Sequence, residues 1–369
     1  MVWVARRWLS KMAFEYEAKM NKDRVELKGL FPNELGDAVA GLGLARYRTR
    51  QLVDWLYNKG VTKFDDMTNL SKDVRQQLTD NFTILDLNVV GEVKTESEDT
   101  VKFLFSLPDG RRIESVLMWE GKRRTLCVSS QVGCPLDCHF CATGKMGLIR
   151  NLSAAEIVDQ VLYGQRFLRQ RGEELTNVVM MGMGEPLLNF DQVLRAIRLM
   201  NLDFGAAIGI RRITLSTAGH VPGIKRLSEE KLKIGLAVSL NATTDAQRTM
   251  IMPINKKWPI AELLAAVKDY QTYIGRWITF EYVLLHGLND SADDAHRLID
   301  LVGDISCKIN VIPWNPIDGG DYQRPSQKAI DLFVEILAQA QLTATVRYSK
   351  GDDIGAGCGQ LYQALETVA

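Results

Sequence analysis

Short β-like segments alternate with amphipathic helical segments from about residue 124 onward, and this alternation constrains the fold more than any other feature. The β-like segments lie near residues 126–131, 177–181, 212–216, 234–239, 279–284 and 308–312. Consecutive β/α units form a parallel sheet with the helices outside it. Because a closed barrel needs eight units, these six segments predict an α/β fold, a partial (β/α)6 barrel, with a lateral mouth wide enough for a large substrate.

The residues before the barrel follow two other periods. From about residue 32 to 82 apolar side chains recur at helical spacing. The side chains expected to share one packed face are Tyr47, Leu52, Trp55 and Leu56. From about residue 85 to 120 the period is two, and a Pro-Asp-Gly turn at 108–110 separates two alternating runs. These patterns predict a helical module followed by a β-hairpin.

We therefore expect five segments along the chain. These are a lead-in over residues 1–24, a helical accessory domain over 25–83, a β-hairpin extension over 84–123, the partial barrel over 124–345 and a C-terminal tail over 346–369. The lead-in is either disordered or lies upstream of a true start at Met12 or Met20.

Three cysteines with the spacing C-x3-C-x2-C lie in one short segment after the first predicted strand: Cys134, Cys138 and Cys141. A [4Fe–4S] cluster held by cysteine normally takes four thiolates. Three thiolates leave one iron without a protein ligand, and a catalytic metal site needs such an open position. The simpler alternatives are unligated thiols or a zinc knuckle that uses His139, although adjacent donors would crowd a single zinc ion.

Several other residues fall at the same end of the predicted strands as these cysteines. They are Gly184 and Glu185 after the second strand, Ser216 at the end of the third, Ser239, Leu240 and Asn241 at the end of the fourth, and Asn315 after the sixth. In a β/α barrel the chemistry gathers at the C-terminal ends of the strands, so we expect one shared site. The run 182–186 does not complete G-x-G-x-x-G, so no dinucleotide fingerprint is present there.

Composition restricts the partners and the compartment. Lys plus Arg and Asp plus Glu both number 45, so the net charge is zero and any RNA contact must come from local basic patches. The candidate patches are 122–124, 211–212, 255–257 and the arginines Arg46, Arg48 and Arg50. No apolar run reaches the roughly 18 residues of a membrane span, and the N-terminus lacks the apolar region of a signal peptide. Six cysteines, three of them in one segment, favour a reducing cytoplasm.

The cysteine segment 134–141 resembles the cluster loop of the radical S-adenosylmethionine (radical SAM) superfamily. The preceding stretch 125–134 and the run Met181-Gly-Met-Gly-Glu-Pro-Leu-Leu-Asn189 are similar to those of the RNA adenine methyltransferases of the RlmN/Cfr family. The resemblance extends from about Glu26 to Leu361, which is nearly the whole chain.

The resemblance implies a [4Fe–4S] cluster on the three loop cysteines and a binding site for S-adenosylmethionine. Gly184 and Glu185 match the segment that holds the amino group of this cofactor. The other matching cofactor-binding positions are Ser216, Ser239, Leu240 and Asn315. Asn241 departs from the family pattern, because many relatives have His there; a backbone contact would survive this change, whereas a side-chain contact is in doubt.

Two further cysteines gain a role only from the resemblance, since a lone cysteine is more often a small buried apolar residue. Cys358, in the Gly-rich run 355–360, matches the cysteine that accepts a methyl group, and Cys127 matches the one that resolves a covalent adduct through a transient disulfide. Glu114 aligns with the proposed general base. Cys307 matches no functional thiol and is expected to be structural.

The implied reaction is methylation of adenine C2 in large-subunit ribosomal RNA and in tRNA beside the anticodon. It uses two molecules of S-adenosylmethionine per turnover, of which one methylates Cys358 and the other yields a 5′-deoxyadenosyl radical. An electron donor such as flavodoxin or ferredoxin and a monomeric state are expected. Two alternatives stay open: methylation of adenine C8, which Pro186 disfavours because that branch commonly has Ala there, and a non-enzymatic iron–sulfur RNA-binding protein.

Overall fold

The structure is a computed structural model that describes residues 24–203 and 206–362, so the predicted lead-in lies outside the described residues except for Arg24. The chain begins with a helical module. Its elements are strand β1 (Val25–Glu26), helix α1 (Pro32–Gly41), helix α2 (Arg48–Val53) with a π-helical turn (Asp54–Asn58), a 3-10 turn (Phe64–Asp66), helix α3 (Lys72–Asn81) and strand β2 (Phe82–Thr83). Strands β1 and β2 pair in parallel and bring the two ends of the module together.

Three of the four side chains expected to pack in this module are buried: Leu52, Trp55 and Leu56. The prediction for Tyr47 is wrong, because 63% of its side-chain surface is exposed. Tyr47 lies just before the first turn of α2 instead of inside one long helix. Its ring is therefore not on the packed face, and Arg48 lies over it at 5.3 Å from the ring centroid.

Three antiparallel strands follow, β3 (Asn88–Lys94), β4 (Thr100–Ser106) and β5 (Arg112–Glu120). The sequence predicts β4 and β5 as a hairpin but not β3, whose residues are alternately half-buried and exposed. Strand β5 pairs with strand β6 (Arg123–Cys127) of the barrel, with Val116 opposite Cys127. The hairpin is therefore continuous with the barrel sheet and brings its side chains close to the first barrel strand.

A small two-stranded sheet holds the cysteine segment. Strands β7 (Gln131–Cys134) and β8 (Gly147–Asn151) pair in antiparallel fashion, with the short helix α4 (Ala142–Lys145) between them. The strand predicted near 126–131 is thus divided, since β6 ends at Cys127 and Gln131 already belongs to β7. Helix α5 (Ala154–Arg169) follows and begins with a capping box, in which Ser153 accepts a hydrogen bond from the Glu156 amide.

The remaining parallel strands are β9 (Asn177–Met180), β10 (Ile213–Thr217), β11 (Gly235–Ser239), β12 (Ile278–Leu284), β13 (Cys307–Pro313) and β14 (Thr343–Val346). The helices between and after them are α6 (Phe190–Met200), α7 (Val221–Glu229), α8 (Asp245–Ile251), α9 (Ile260–Ile274), α10 (Ala292–Val302) and α11 (Gln327–Gln339). Within the described residues the ten-stranded sheet has the order β14-β13-β12-β11-β10-β9-β6-β5-β4-β3. The predicted partial barrel with outer helices is confirmed. Its parallel part has one strand more than predicted. The extra strand, β14, could not be predicted from the sequence because it is short and half-exposed and carries no apolar run.

The helical module packs against the barrel through buried polar contacts as well as apolar ones. Lys28 of the module and Asp159 of α5 form a fully buried ion pair at 2.5 Å. The hydroxyl of Tyr57 donates to the carbonyl of Lys28 at 2.6 Å. Over the described ranges 24–203 and 206–362, no helix is long and apolar enough to cross a membrane.

Candidate active site

The C-terminal ends of the parallel strands surround one cavity. The predicted site residues in its wall are Cys134, Cys138, Cys141, Gly184, Glu185, Ser216, Ser239, Asn241, Asn315 and Cys358. Three other predicted residues do not line it: Glu114, Cys127 and Leu240. Leu240 is fully buried, and its backbone amide donates to the carbonyl of Glu281 at 3.0 Å. The strand ends therefore converge as the sequence predicts, while Leu240 contributes to the core.

The cysteine loop is compact. Cys134 ends β7, and the amide of Cys141 donates to the carbonyl of Cys138 at 3.0 Å. Burial raises the pKa of Cys134 to about 12 and also raises the pKa values of Cys138 and Cys141. Such thiols stay protonated unless a cation stabilises the thiolates, so this donor set suits a bound metal centre.

The loop geometry bears on which centre fits. Within residues 24–203 and 206–362, no three His, Cys, Asp or Glu side chains converge closely enough to hold one metal ion. In an iron–sulfur cluster each cysteine binds a different iron, so the sulfurs need not converge on one point. His139 lies beside Asp137, at 3.9 Å between Nε2 and Oδ2, and does not line the cavity. Three thiols without a fourth protein ligand are the donor set of a cluster with one open iron.

Glu185 offers a buried carboxylate to the cavity. Its Oε2 accepts from the amide of Ala218 at 2.7 Å, and its Oε1 accepts from the amide of Leu187 at 3.1 Å. Burial raises the pKa of Glu185 to about 7, although these hydrogen bonds oppose the shift. A ligand ammonium group would stabilise the ionised form, so the site is suited to the amino group of an amino-acid-like ligand.

The two glycines before Glu185 are required by packing within the protein. Gly184 has a positive φ of 102°, and a Cβ there would lie 2.5 Å from the Cβ of Gln131. A Cβ on Gly182 would lie 2.7 Å from the carbonyl oxygen of Val128. Glycines in such a run can let a ligand approach the backbone closely. Here the backbone of 182–184 instead lies against residues 128–131.

Asn241 uses its side chain inside the protein. Its φ is +57°, a conformation that Asn tolerates better than most residues. Its Oδ1 accepts from the amide of Val283 at 2.8 Å, and its carbonyl accepts from Nδ2 of Asn289 at 2.7 Å. The side chain therefore joins β11 to β12 at the edge of the cavity.

The C-terminal segment carries Cys358 into the cavity wall. The side-chain amide of Asn315 donates to the carbonyl of Cys358 at 3.0 Å. The amide of Ala142 donates to the carbonyl of Gly359 at 2.7 Å, and the Thr143 hydroxyl donates to the carbonyl of Leu361 at 2.6 Å. Because Ala142 and Thr143 belong to α4, these bonds hold Cys358 next to the cysteine loop.

Comparisons with known proteins agree with this geometry. The Radical SAM superfamily matches residues 128–299, and the ribosomal RNA large subunit methyltransferase N-terminal domain matches residues 25–84. The dual-specificity RNA methyltransferase RlmN of Geobacter sulfurreducens is 47% identical over 93% of this chain and 94% of its own length. The chain belongs to the RlmN family. A second RlmN, from Marinobacter nauticus, is 44% identical over 93% of this chain and 94% of its own length.

A solved structure extends the likeness to the fold. The crystal structure of a radical SAM methyltransferase from Sphaerobacter thermophilus matches with a TM-score of 0.90 and 45% identity, over 92% of this chain and 99% of that chain. This RlmN-family chain is therefore a radical SAM RNA methyltransferase, whose cofactors are a [4Fe–4S] cluster and S-adenosylmethionine. The alternatives of a C8 methyltransferase, a non-enzymatic binding protein and a zinc knuckle are not supported.

The second active thiol predicted for the RlmN family lies behind the cavity wall. Cys127 ends β6 and is 8% exposed. Burial raises its pKa to about 12, and the charge of Cys358 adds to the shift. Both cysteines are free thiols in this structure. The two predicted thiols are within range of each other's charge, and no bond joins them.

Glu114 is joined to the tail by a buried lysine. The carboxylate lies in the middle of β5, is 0% exposed, and is 3.2 Å from Nζ of Lys102 on β4. The same Nζ donates to the carbonyl of Gly355 at 3.2 Å. Burial raises the pKa of Glu114, and the positive charge of Lys102 opposes the shift. Glu114 therefore lies beside the Cys358 segment and not in the cavity wall.

Sequence reasoning missed several charged residues around the site. Glu281 of β12 lines the cavity and accepts from Nδ2 of Asn310 at 2.8 Å. The positive charge of Arg347 lowers the pKa values of Cys127 and Cys358 against the effect of burial. Glu281 and Lys102 could have been found from the sequence, because each is a single charged residue within an apolar strand. No sequence pattern distinguishes Arg347.

The basic patches are only partly as predicted. Lys256 and Lys257 are exposed, but Asn255 is 2% exposed and bonds within the protein to Arg248, so the third patch begins one residue later. Arg124 forms an ion pair with Glu173 at 2.6 Å, which leaves Lys122 and Arg123 exposed in the first patch. The residues Arg46, Arg50, Arg211 and Arg212 are exposed.

Proposed function

We propose that this chain methylates C2 of adenine in large-subunit ribosomal RNA near the peptidyl-transferase centre and in tRNA beside the anticodon. The observation that carries the proposal is that Cys358 shares one cavity wall with Cys134, Cys138 and Cys141. A methyl-carrying thiol must reach both a sulfonium methyl group and the radical chemistry of the cluster. Simple RNA binding would need neither Cys358 nor the nearby Cys127.

The first step of the proposed reaction is methyl transfer to the tail cysteine. The Cys358 thiolate attacks the methyl group of one S-adenosylmethionine, a carbon–sulfur bond forms, and S-adenosylhomocysteine leaves with the electron pair of the broken bond. The thiolate is the nucleophilic form. Burial raises the pKa of Cys358, whereas the positive charge of Arg347 lowers it, so Arg347 supports ionisation at this step.

The second step uses another molecule of S-adenosylmethionine, which makes two per turnover. Glu185 holds its amino group, while Ser216, Ser239 and Asn315 line the remaining wall. Cys134, Cys138 and Cys141 would hold the cluster, and this group would supply one electron for reductive cleavage of this molecule to methionine and a 5′-deoxyadenosyl radical. The chemistry is hydrogen abstraction from a methyl group, which is otherwise unreactive, and this explains the need for a radical cofactor.

The last steps belong to Glu114 and Cys127. When the methylene radical on Cys358 bonds to C2 of the adenine, the adduct carries one unpaired electron. Glu114 accepts the proton from C2, and the electron passes to the external one-electron carrier, so the aromatic ring is restored. The raised pKa of Glu114 makes it a stronger base than an exposed glutamate. The Cys127 thiolate then attacks the sulfur of Cys358, so a disulfide forms and the electron pair of the broken carbon–sulfur bond passes to the methylene carbon. That carbon takes up a proton, and the methylated RNA leaves. Reduction of that disulfide by an external thiol restores both cysteines.

The proposal for RNA recognition starts from the helical module. Exposed Tyr47 and the arginines Arg46, Arg48 and Arg50 offer a ring and positive charges to RNA. The target adenine must leave its stack to reach the cavity, at a cost of about a few kcal/mol. We further propose a monomer in the cytoplasm that receives electrons from a flavodoxin or ferredoxin.

Nucleoside mass spectrometry tests this function. Anaerobically purified protein with a reconstituted cluster is incubated with S-adenosylmethionine, a low-potential reductant, and ribosomal RNA or tRNA. We expect 2-methyladenosine from both RNA classes and a brown protein with about four irons per chain. A product methylated at C8, or a colourless protein that binds one zinc and still methylates RNA, would overturn the proposal.

A further inference from the structure

Arg248 is a fully buried arginine close to the cluster loop, and the reaction steps above assign it no role. It lies on α8 and is the largest of the fully buried side chains among the described residues. The carbonyl of Ile251, which ends α8, accepts from the amide of His139 at 3.0 Å, next to Cys138. Helix α8 is thus in direct contact with the loop that carries the three cysteines.

The guanidinium of Arg248 holds two strand ends that frame the cofactor site. Its Nη2 donates to the carbonyl of Ala218 at 2.6 Å and to the carbonyl of Ser239 at 3.1 Å. Its Nε donates to the carbonyl of Leu240 at 3.0 Å. Because Ala218 also donates its amide to Glu185, Arg248 connects the carboxylate proposed for the amino group to the end of β11.

The hydrogen-bond partners of Arg248 carry no negative charge. Besides the three carbonyls, Nη1 donates to Oδ1 of Asn255 at 3.1 Å. A buried cation is unfavourable unless a negative charge compensates it. Asp245 acts on Arg248 only at longer range, since its Oδ1 accepts from Asn255 and from the amide of Ile260. The positive charge of Arg248 instead lies next to the cluster loop, because the Ile251 carbonyl of the same helix accepts from the His139 amide beside Cys138.

We propose that Arg248 is a positioning residue that also serves as the buried counter-charge of the cluster: it holds the cofactor-binding strand ends and favours the reduced state. The inference rests on the proposed function in that a cluster occupies the three cysteines. One electron, delivered by an external low-potential one-electron donor, adds one negative charge to the cysteine-bound centre. A nearby cation in a medium of low dielectric stabilises that added charge.

Three variants separate the effect of the positive charge of Arg248 from the effect of its hydrogen bonds to the strand ends. Arg248→Met removes both, Arg248→Lys keeps the charge but loses the fork of hydrogen bonds, and Arg195→Met is the matched control. Arg195 also donates to a backbone carbonyl, that of Gly29 at 2.6 Å, but it pairs with Glu34, and both of these partners belong to the helical module and not to the cofactor-binding strand ends. Each purified, cluster-loaded protein is titrated anaerobically with dithionite while the reduced cluster is followed by electron paramagnetic resonance. Binding of S-adenosylmethionine and thermal unfolding are measured in parallel.

We expect the equilibrium constant for reduction of Arg248→Met to fall about tenfold, which for a one-electron couple is a midpoint about 59 mV more negative. Arg248→Lys should keep a near-parental midpoint but bind S-adenosylmethionine more weakly, and Arg195→Met should change neither. An unchanged midpoint in Arg248→Met, or an equal shift in Arg248→Lys and Arg248→Met, would overturn the counter-charge role. Parental protein without a cluster signal or methylated RNA would instead contradict the proposed function itself.

Discussion

The two sides of the cavity are held in different ways. The cofactor cradle, which consists of residues 182–186, 216–218 and 239–241, is formed by ends of strands that pair in register, such as Ser239 with Glu281. The tail, residues 347–362, carries Cys358 and crosses the same cavity mainly on bonds that involve a side chain. Two of these are the bonds from Asn315 to the carbonyl of Cys358 and from Thr143 to the carbonyl of Leu361.

This difference matches the two kinds of work in the proposed reaction. The cradle must keep one geometry, and buried groups such as Glu185 and Arg248 make any rearrangement there unfavourable. Cys358 must instead react in turn with a sulfonium methyl group, a nucleic-acid base and Cys127. A segment held by side-chain hydrogen bonds and ion pairs, without strand pairing, can serve these successive partners at a smaller cost than a strand end can. The predictions below test whether the tail and the cradle separate in this way.

The largest expected effect is on the tail. Replacement of Cys358 by Ser should reduce methyl incorporation into RNA by about 10⁴-fold or more, since a hydroxyl is a far weaker nucleophile than a thiolate. The cluster and the reductive cleavage of S-adenosylmethionine should remain, because they depend on the cradle and the loop cysteines. Methylated nucleoside and released 5′-deoxyadenosine are measured in the same reaction.

The control for this replacement is Cys307→Ser. Cys307 is buried at the start of β13, outside the cavity wall, and burial raises its pKa to about 11. This variant should methylate RNA at nearly the parental rate. Methylation of adenine by Cys358→Ser would show that the tail cysteine does not carry the methyl group.

The next largest effect is expected when the proposed resolving thiol, Cys127, is removed. Cys127→Ala should stop the reaction after the carbon–carbon bond has formed, because no second thiol can release Cys358. A covalent protein–RNA adduct should therefore accumulate, detectable as a shifted band in denaturing gels and by mass spectrometry at Cys358. If this variant completes many turnovers, Cys127 is not the resolving cysteine.

A smaller effect is expected in the cradle. Glu185→Gln should weaken binding of S-adenosylmethionine by roughly 10- to 100-fold, the range for loss of one charge-assisted hydrogen bond of about 1.5–3 kcal/mol. The parental affinity should rise as the pH increases from 6 to 8. The reason is that Glu185 has a pKa of about 7, is neutral below it, and must be ionised to bind an ammonium group.

Isothermal titration calorimetry over this pH range measures both predictions for Glu185. The Gln variant cannot ionise, so its affinity should not depend on pH through this group. Circular dichroism and the absorbance of the cluster check that the variant is folded and loaded. A pH dependence that persists in Glu185→Gln would assign the titration to another group.

The smallest effect is expected from a change in the helical module, which should leave the tail and the cradle unchanged. Joint replacement of Arg46, Arg48 and Arg50 by Ala should weaken RNA binding and reduce the slope of log affinity against log salt by about one for each lost phosphate contact. The matched control replaces the same three residues by Lys, which keeps the charge and should keep most of the slope. Fluorescence anisotropy at several salt concentrations measures the RNA affinity and its slope. An equal slope for the Ala variant and the parent would show that the three arginines form only a solvated face and do not contact RNA phosphates.

Much of the cradle could be predicted because each of its parts is local in sequence. The three spaced cysteines, the Gly-Glu-Pro run and the small polar residues at strand ends each span only a few positions of the sequence. The rule that chemistry gathers at the C-terminal ends of barrel strands then brings them together. Leu240 is the exception, because the direction of a side chain just after the end of a strand depends on the neighbouring strand.

The sequence by itself determined the alternation of strands and helices, the cysteine loop and the strand ends around the cavity, because these depend on short-range periodicity and spacing. Only the tertiary structure decided that Lys102 joins Glu114 to the carbonyl of Gly355, and that Arg248 connects Ala218 to Leu240 beside the cluster loop. Such contacts join residues that are far apart in the chain or whose side chains turn inward from a short helix. Their formation depends on how the sheet brings distant segments together and on the need of a buried charge for partners, and neither leaves a local pattern in the sequence.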